Sequence, residues 1–100
     1  MKEVKFRADW TGKEEILNAD SLTDNEVKVM IASRNNEYGD CCIEGSTWSF
    51  TVCDNSGLNS KTYRGVVSSL IKKGYARVAG KAGDEIFALT EEGKALFVEL

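Results

Sequence analysis

Apolar residues repeat with a helical period between Asn59 and Gly74. Tyr63, Val66, Val67, Leu70 and Ile71 fall at i, i+3, i+4, i+7 and i+8, which gathers them on one face of a helix. Asn59 or Ser60 can cap its orphan amide groups, Lys72 and Lys73 place positive charge at its carboxyl end, and Gly74 supplies a left-handed stop. The opposite face carries Lys61, Thr62, Arg64, Gly65, Ser68 and Lys72, with no bulky apolar group among them. Upstream, a shorter helix is expected from about Thr47 through Asn55, capped by Ser46 or Thr47, with Phe50, Val52 and Cys53 as its apolar contacts. Gly57 lies between the two and permits a tight turn.

At the start of the chain Val4, Phe6, Ala8 and Trp10 alternate with Glu3, Lys5, Arg7 and Asp9, the period of a half-buried strand. Trp10 reads as an anchor. Lys13 to Ala19 predicts one or two helical turns. Thr23 and Glu26 then form a capping box ahead of a helix whose inward stripe is Val27, Met30, Ile31 and the stem of Arg34, and which dissolves at Asn35-Asn36. Residues 37 to 45 read as a loop, with Cys41-Cys42-Ile43 as a short strand at the edge of a later hairpin. That hairpin is expected from Tyr75–Val78 and Glu85–Leu89, with Gly80 and Gly83 in its turn and Val78, Phe87 and Leu89 packed under the helices. Thr90 caps a last short helix, whose first turn holds Glu91 and Glu92.

The element order is arm, helix, short strand, helix, turn, helix, hairpin and short helix, which predicts an α+β chain. Cys53, Gly57, Leu58, Tyr63 and Val66 occupy the small, glycine and apolar positions of the helix-turn-helix pattern, and KKGYARV and LTEEGKAL flank the hairpin. On these pieces the chain from Leu22 to Leu96 resembles winged helix-turn-helix regulators of the small MarR-like bacterial or phage type. The resemblance implies a three-helix core with a β-hairpin wing over residues 22–100, preceded by an arm over residues 1–21. The chain departs from the longer MarR type in ending at Leu100, without the terminal helices through which those proteins dimerise.

Taken over the whole chain, a net charge of -3 speaks against a nucleic-acid partner. The charge is unevenly divided. From Asn55 to Gly83 there are six cations (Lys61, Arg64, Lys72, Lys73, Arg77 and Lys81) and no acid, and the remainder carries -9. The basic block coincides with the second helix and the hairpin, as an electrostatic footprint requires. One hundred residues with 42% apolar content fit one compact domain. No apolar run is long enough to span a membrane, and the charged start lacks the apolar stretch of a secretory signal, so a cytoplasmic location is expected. Three cysteines without histidine argue against a disulfide framework and against the common zinc sites. The acidic neighbours of Cys41 and Cys42 disfavour the thiolate that redox sensing needs. Without histidine or a phosphate-cradling glycine pattern, the sequence predicts no enzyme, no cofactor and no metal.

The expected function is therefore sequence-specific binding of double-stranded DNA in transcription regulation, with the helix near 60–73 in the major groove. Asn59, Ser60, Lys61, Thr62, Arg64 and Ser68 are the residues expected at base edges or nearby phosphates, and Arg77 and Lys81 are expected on the flanking backbone. Roughly three to five phosphate contacts per protomer would give a slope of log affinity on log salt of about -3 to -5. Useful specificity then calls for a homodimer on an inverted repeat, expected through residues 1–20. The other reading is a winged-helix module of phage or plasmid origin that binds a host protein. Residues 14–54, with nine acids against two cations, would be its surface.

Overall fold

A computed structural model describes residues 2–7, 12–35, 46–80 and 85–99. In chain order the elements are β1 (Glu3–Arg7), β2 (Glu14–Asn18), α1 (Asp24–Asn35), β3 (Ser46–Trp48), α2 (Ser49–Ser56), α3 (Ser60–Lys72), β4 (Ala76–Ala79), β5 (Ile86–Leu89), α4 (Glu91–Lys94) and β6 (Phe97–Glu99). They form two small antiparallel sheets, of order β1-β2-β6 and β3-β5-β4. No helix among the described residues is long and apolar enough to cross a membrane.

Helices α1, α2 and α3 and the hairpin β4–β5 are the winged-helix arrangement expected from the sequence. Their shared core holds Val27, Val29, Met30, Val52, Val67, Leu70 and Phe87, all buried. The capping box forms as expected: the Thr23 amide donates to Glu26 Oε1 at 2.8 Å, and the Glu26 amide donates to Thr23 Oγ1 at 3.2 Å. Gly57 closes α2 in the left-handed conformation at φ 77°, and Gly74 ends α3 at φ 83°. Thr90 caps α4, its Oγ1 accepting from the Gly93 amide at 3.1 Å.

Three expectations are corrected. Residues 14–18 form a strand and not helical turns, because β2 pairs on both sides, with β1 and with β6. Glu and Leu are good helix formers, but the backbone bonds and the burial of alternate residues, Glu15 and Leu17, outweigh that weak local preference. Residues 97–99, which the sequence pattern leaves without an element, form β6 by pairing with β2. Ser46 and Thr47 do not cap α2. They belong to β3, which pairs with Ala88 and Phe87 of the wing, and the N-cap position falls to Trp48, which makes no side-chain cap bond. The strand at the edge of the hairpin is thus β3, while Cys41, Cys42 and Ile43 lie outside the described residues, as does Trp10. Finally, α1 is buried over more than one stripe, since Val29, Ala32 and Ser33 are also buried.

That wider burial of α1 follows from the second sheet. Arg34, expected to contribute only its stem, donates from Nε and Nη2 to the Glu15 carboxylate at 3.0 and 3.3 Å. Its guanidinium also lies 5.7 Å from the centre of the Phe97 ring. Phe97 in turn meets Phe6 edge to face at 5.7 Å. Strands β1 and β2 therefore share a sheet and a packed face with β6. The buried carboxylate of Glu15 is tolerable there because Arg34 supplies the paired donors that a buried charge requires.

Candidate nucleic-acid interface

Three side chains set the orientation of α3. Asn59 caps its start, with Oδ1 accepting from the Thr62 amide at 2.8 Å. Tyr63 is buried, and its hydroxyl shares a 2.8 Å hydrogen bond with Ser49 Oγ at the first turn of α2. Burial pushes the phenol pKa up to about 12, against the opposing effect of the Ser49 bond. At the far end Glu26 of α1, 1% exposed, accepts from Ser69 Oγ and from Lys73 Nζ, each at 2.6 Å. Lys73 Nζ also donates to the Ser21 carbonyl at 2.7 Å.

With the helix held this way, Tyr63, Val67 and Leu70 face the core and Val66 packs partly against it. Ile71, expected on the same face, is 45% exposed, since its neighbour Leu70, 0% exposed, takes the core position in that turn. The opposite face is open. Ser60, Lys61, Arg64, Ser68 and Lys72 are all exposed, and Thr62 is half-buried. Lys61, Arg64 and Lys72 make no ion pair among the described residues. Arg77 is exposed on β4, opposite Ala88 of β5. Lys81 lies outside the described residues.

Two of the residues singled out from the sequence carry structural duties. Asn59 is exposed, but its Oδ1 is already engaged by the cap, so a bidentate adenine contact through Oδ1 and Nδ2 would compete with the start of α3. Lys73, counted in the basic block, is held by Glu26 and the Ser21 carbonyl and offers no free charge. Cys53 donates weakly to the Leu58 carbonyl at 3.7 Å and packs as a small, half-buried residue.

One feature of this face was not legible in the sequence. Phe50, expected in the core, is 58% exposed and stacks on Trp48 with ring centres 6.2 Å apart and planes at 21°. Beside it runs a cleft of about 190 Å³, whose walls include Phe50 and Asp54 of α2, Ser60, Tyr63 and Arg64 of α3, and Glu85 ahead of β5. Apolar residues are usually assigned inward. Only the crossing of α2 and α3, with Val52 taking the core position, shows that Phe50 points out.

No family model and no curated protein matches this chain in sequence. Among solved structures, the chain is similar to BpsR of Bordetella bronchiseptica, a protein whose DNA binding is regulated by 6-hydroxynicotinic acid. The TM-score is 0.62 at 22% identity, over 80% of this chain and 53% of that one. The chain thus spans about half the length of that protein. At such identity the likeness speaks for architecture, and it agrees with the element order: this is an α+β winged helix with a three-helix helix-turn-helix core and a small antiparallel wing.

Proposed function

We propose that the chain binds double-stranded DNA as a small transcription regulator, with α3 in the major groove and the wing on the adjoining backbone. The observation that carries this reading is the open face of α3. Its three exposed cations, Lys61, Arg64 and Lys72, have no ion-pair partner among the described residues, and the helix behind them is fixed at both ends. A helix held rigidly by core and cap can present side chains to base edges without the further cost of ordering its backbone. Arg64, Ser60 and Ser68 suit the base edges, Lys61, Thr62 and Lys72 the phosphates, Arg77 and Lys81 the flanking strand. Asn59 serves mainly by starting the helix. Two copies on an inverted repeat would supply the affinity that one module lacks.

The test is a fluorescence-anisotropy titration against random duplex DNA at two salt concentrations, with Lys61→Glu/Arg64→Glu alongside. Removing two cations and adding two acids should abolish binding while the far-ultraviolet circular dichroism stays unchanged, because both side chains are exposed. Wild-type affinity should fall steeply with salt, with a slope of about -3 to -5 per protomer. The exposed Phe50 and the acids Asp54 and Glu85 beside Arg64 favour the other reading, a surface that docks on a host protein. Absence of binding at low salt by a folded protein would favour it over DNA.

A further inference from the structure

We infer that the outer edge of β1 is the contact through which two copies of this chain pair, antiparallel about a twofold axis at Lys5. This inference gives the dimer of the proposed function a location. The mass measurement that tests it does not depend on whether the partner is DNA.

The Ala19 amide donates to the Lys2 carbonyl at 2.8 Å, and the Asn18 amide donates to the Leu96 carbonyl at 2.8 Å. Hydrogen-bonded and non-bonded pairs alternate along an antiparallel ladder, so Val4 and Phe6 bond to Leu17 and Glu15 of β2. The N–H and C=O groups of Glu3, Lys5 and Arg7 then point away from β2, toward the edge of the sheet. Among the described residues no strand pairs there, since β1 ends the order β1-β2-β6. An unpaired row of this kind is a template for another strand.

The side chains of this edge complement themselves. Glu3, Lys5 and Arg7 are exposed, and Val4 and Phe6 are half-buried on the inner face. None of the three charged residues has a side-chain partner among the described residues. When a second β1 is set antiparallel with Lys5 facing Lys5, Glu3 of each copy faces Arg7 of the other. The same register pairs every outward-pointing backbone group, two hydrogen bonds per facing pair. Opposite charges directly across an antiparallel pair are stabilising. The like-charged lysines at the axis weaken the contact, and their long stems can splay apart along the outer face. The inner face gains as well, because Val4 of one copy then lies across from Phe6 of the other, and β1-β2-β6 becomes a continuous six-stranded sheet.

The experiment is multi-angle light scattering of the full chain over a range of concentrations. Wild type should approach twice the 11.0 kDa mass of the chain as concentration rises. Glu3→Arg, which sets arginine against arginine in the dimer and faces only Asn18 within its own sheet, should shift the midpoint of association to at least tenfold higher concentration. Arg7 faces Glu14 within its own sheet, so the reversal is completed with Glu14→Gln to avoid a like-charged pair there: Glu3→Arg/Arg7→Glu/Glu14→Gln should restore association, with circular dichroism showing all variants folded. A wild type that stays at 11.0 kDa, or a Glu3→Arg variant that still dimerises as wild type does, would overturn the inference. A dimer lost in Glu3→Arg and not regained in the folded triple variant would overturn the Glu3–Arg7 register.

Discussion

Replacing Glu26 with Gln removes one charge from the joint between α1 and α3 and keeps its shape. The carboxylate is buried and accepts from the Thr23 amide, the Ser69 hydroxyl and the Lys73 ammonium. Burial works against its charge, but the hydrogen bonds from Lys73, Ser69 and Thr23 outweigh that penalty and hold the carboxyl below its ordinary range. A glutamine can keep its carbonyl toward Thr23 and Lys73 and turn its amide to Ser69, whose hydroxyl then accepts. Only the charge-assisted share is lost, about 1–2 kcal/mol. The roughly 3–5 kcal/mol for breaking a fully buried pair is too high here, because the Lys73 side chain is 33% exposed and can turn its ammonium to water. For a domain of this size the loss corresponds to a fall in Tm of roughly 4–16 °C.

The pH dependence isolates the charge. A carboxyl whose folded pKa lies below its unfolded value of 4.5 stabilises the fold above that value and loses its contribution as pH falls through the folded pKa. Glu26→Gln should therefore be less stable than wild type at pH 7. The gap should narrow below pH 4.5 and close once Glu26 is protonated in the folded chain. Urea unfolding followed by circular dichroism at pH 7 and at a series of acid pH values measures it. A variant as stable as wild type at pH 7, or a gap that stays constant into acid, would refute the account of Glu26 as a charged clamp on α3.

Gly93 is packed so closely that a Cβ there would lie 2.1 Å from the Tyr75 carbonyl oxygen, which already accepts from the Thr90 amide. Gly93→Ala should cost about 2 kcal/mol or more as the backbone shifts, seen as a lowered Tm by differential scanning fluorimetry. Tyr63→Phe leaves the Ser49 hydroxyl without its buried partner and should lose about 1–2 kcal/mol in urea unfolding. With the folded phenol raised to about 12 from 10.0, Tyr63 also makes wild-type stability fall as pH rises from 10 toward 12, and that share of the fall should vanish in Tyr63→Phe.

The features legible along the chain are those that short-range chemistry encodes. The period of Tyr63, Val67 and Leu70, the cap at Asn59, the left-handed Gly57 and Gly74, the box of Thr23 and Glu26 and the Thr90 cap each involve partners within a few residues. Local signals of this kind name a helix and its ends wherever the rest of the chain lies. The open cationic face of α3 was legible for the same reason, as the complement of its core face. Tertiary structure decided the rest. Residues 14–18 are a strand only because β1 and β6 flank them, and β6 comes some eighty residues later, beyond the reach of any local pattern. Glu26 announced a cap, but its grip on Ser69 and Lys73 depends on how α1 crosses α3, and that crossing takes Lys73 out of the basic face. Phe50 was assigned inward by its hydrophobicity and turned outward by Val52, which the crossing of α2 and α3 placed in the core. Which cations remain free for a partner is therefore set by packing, because an ion pair forms wherever the fold brings an acid within reach.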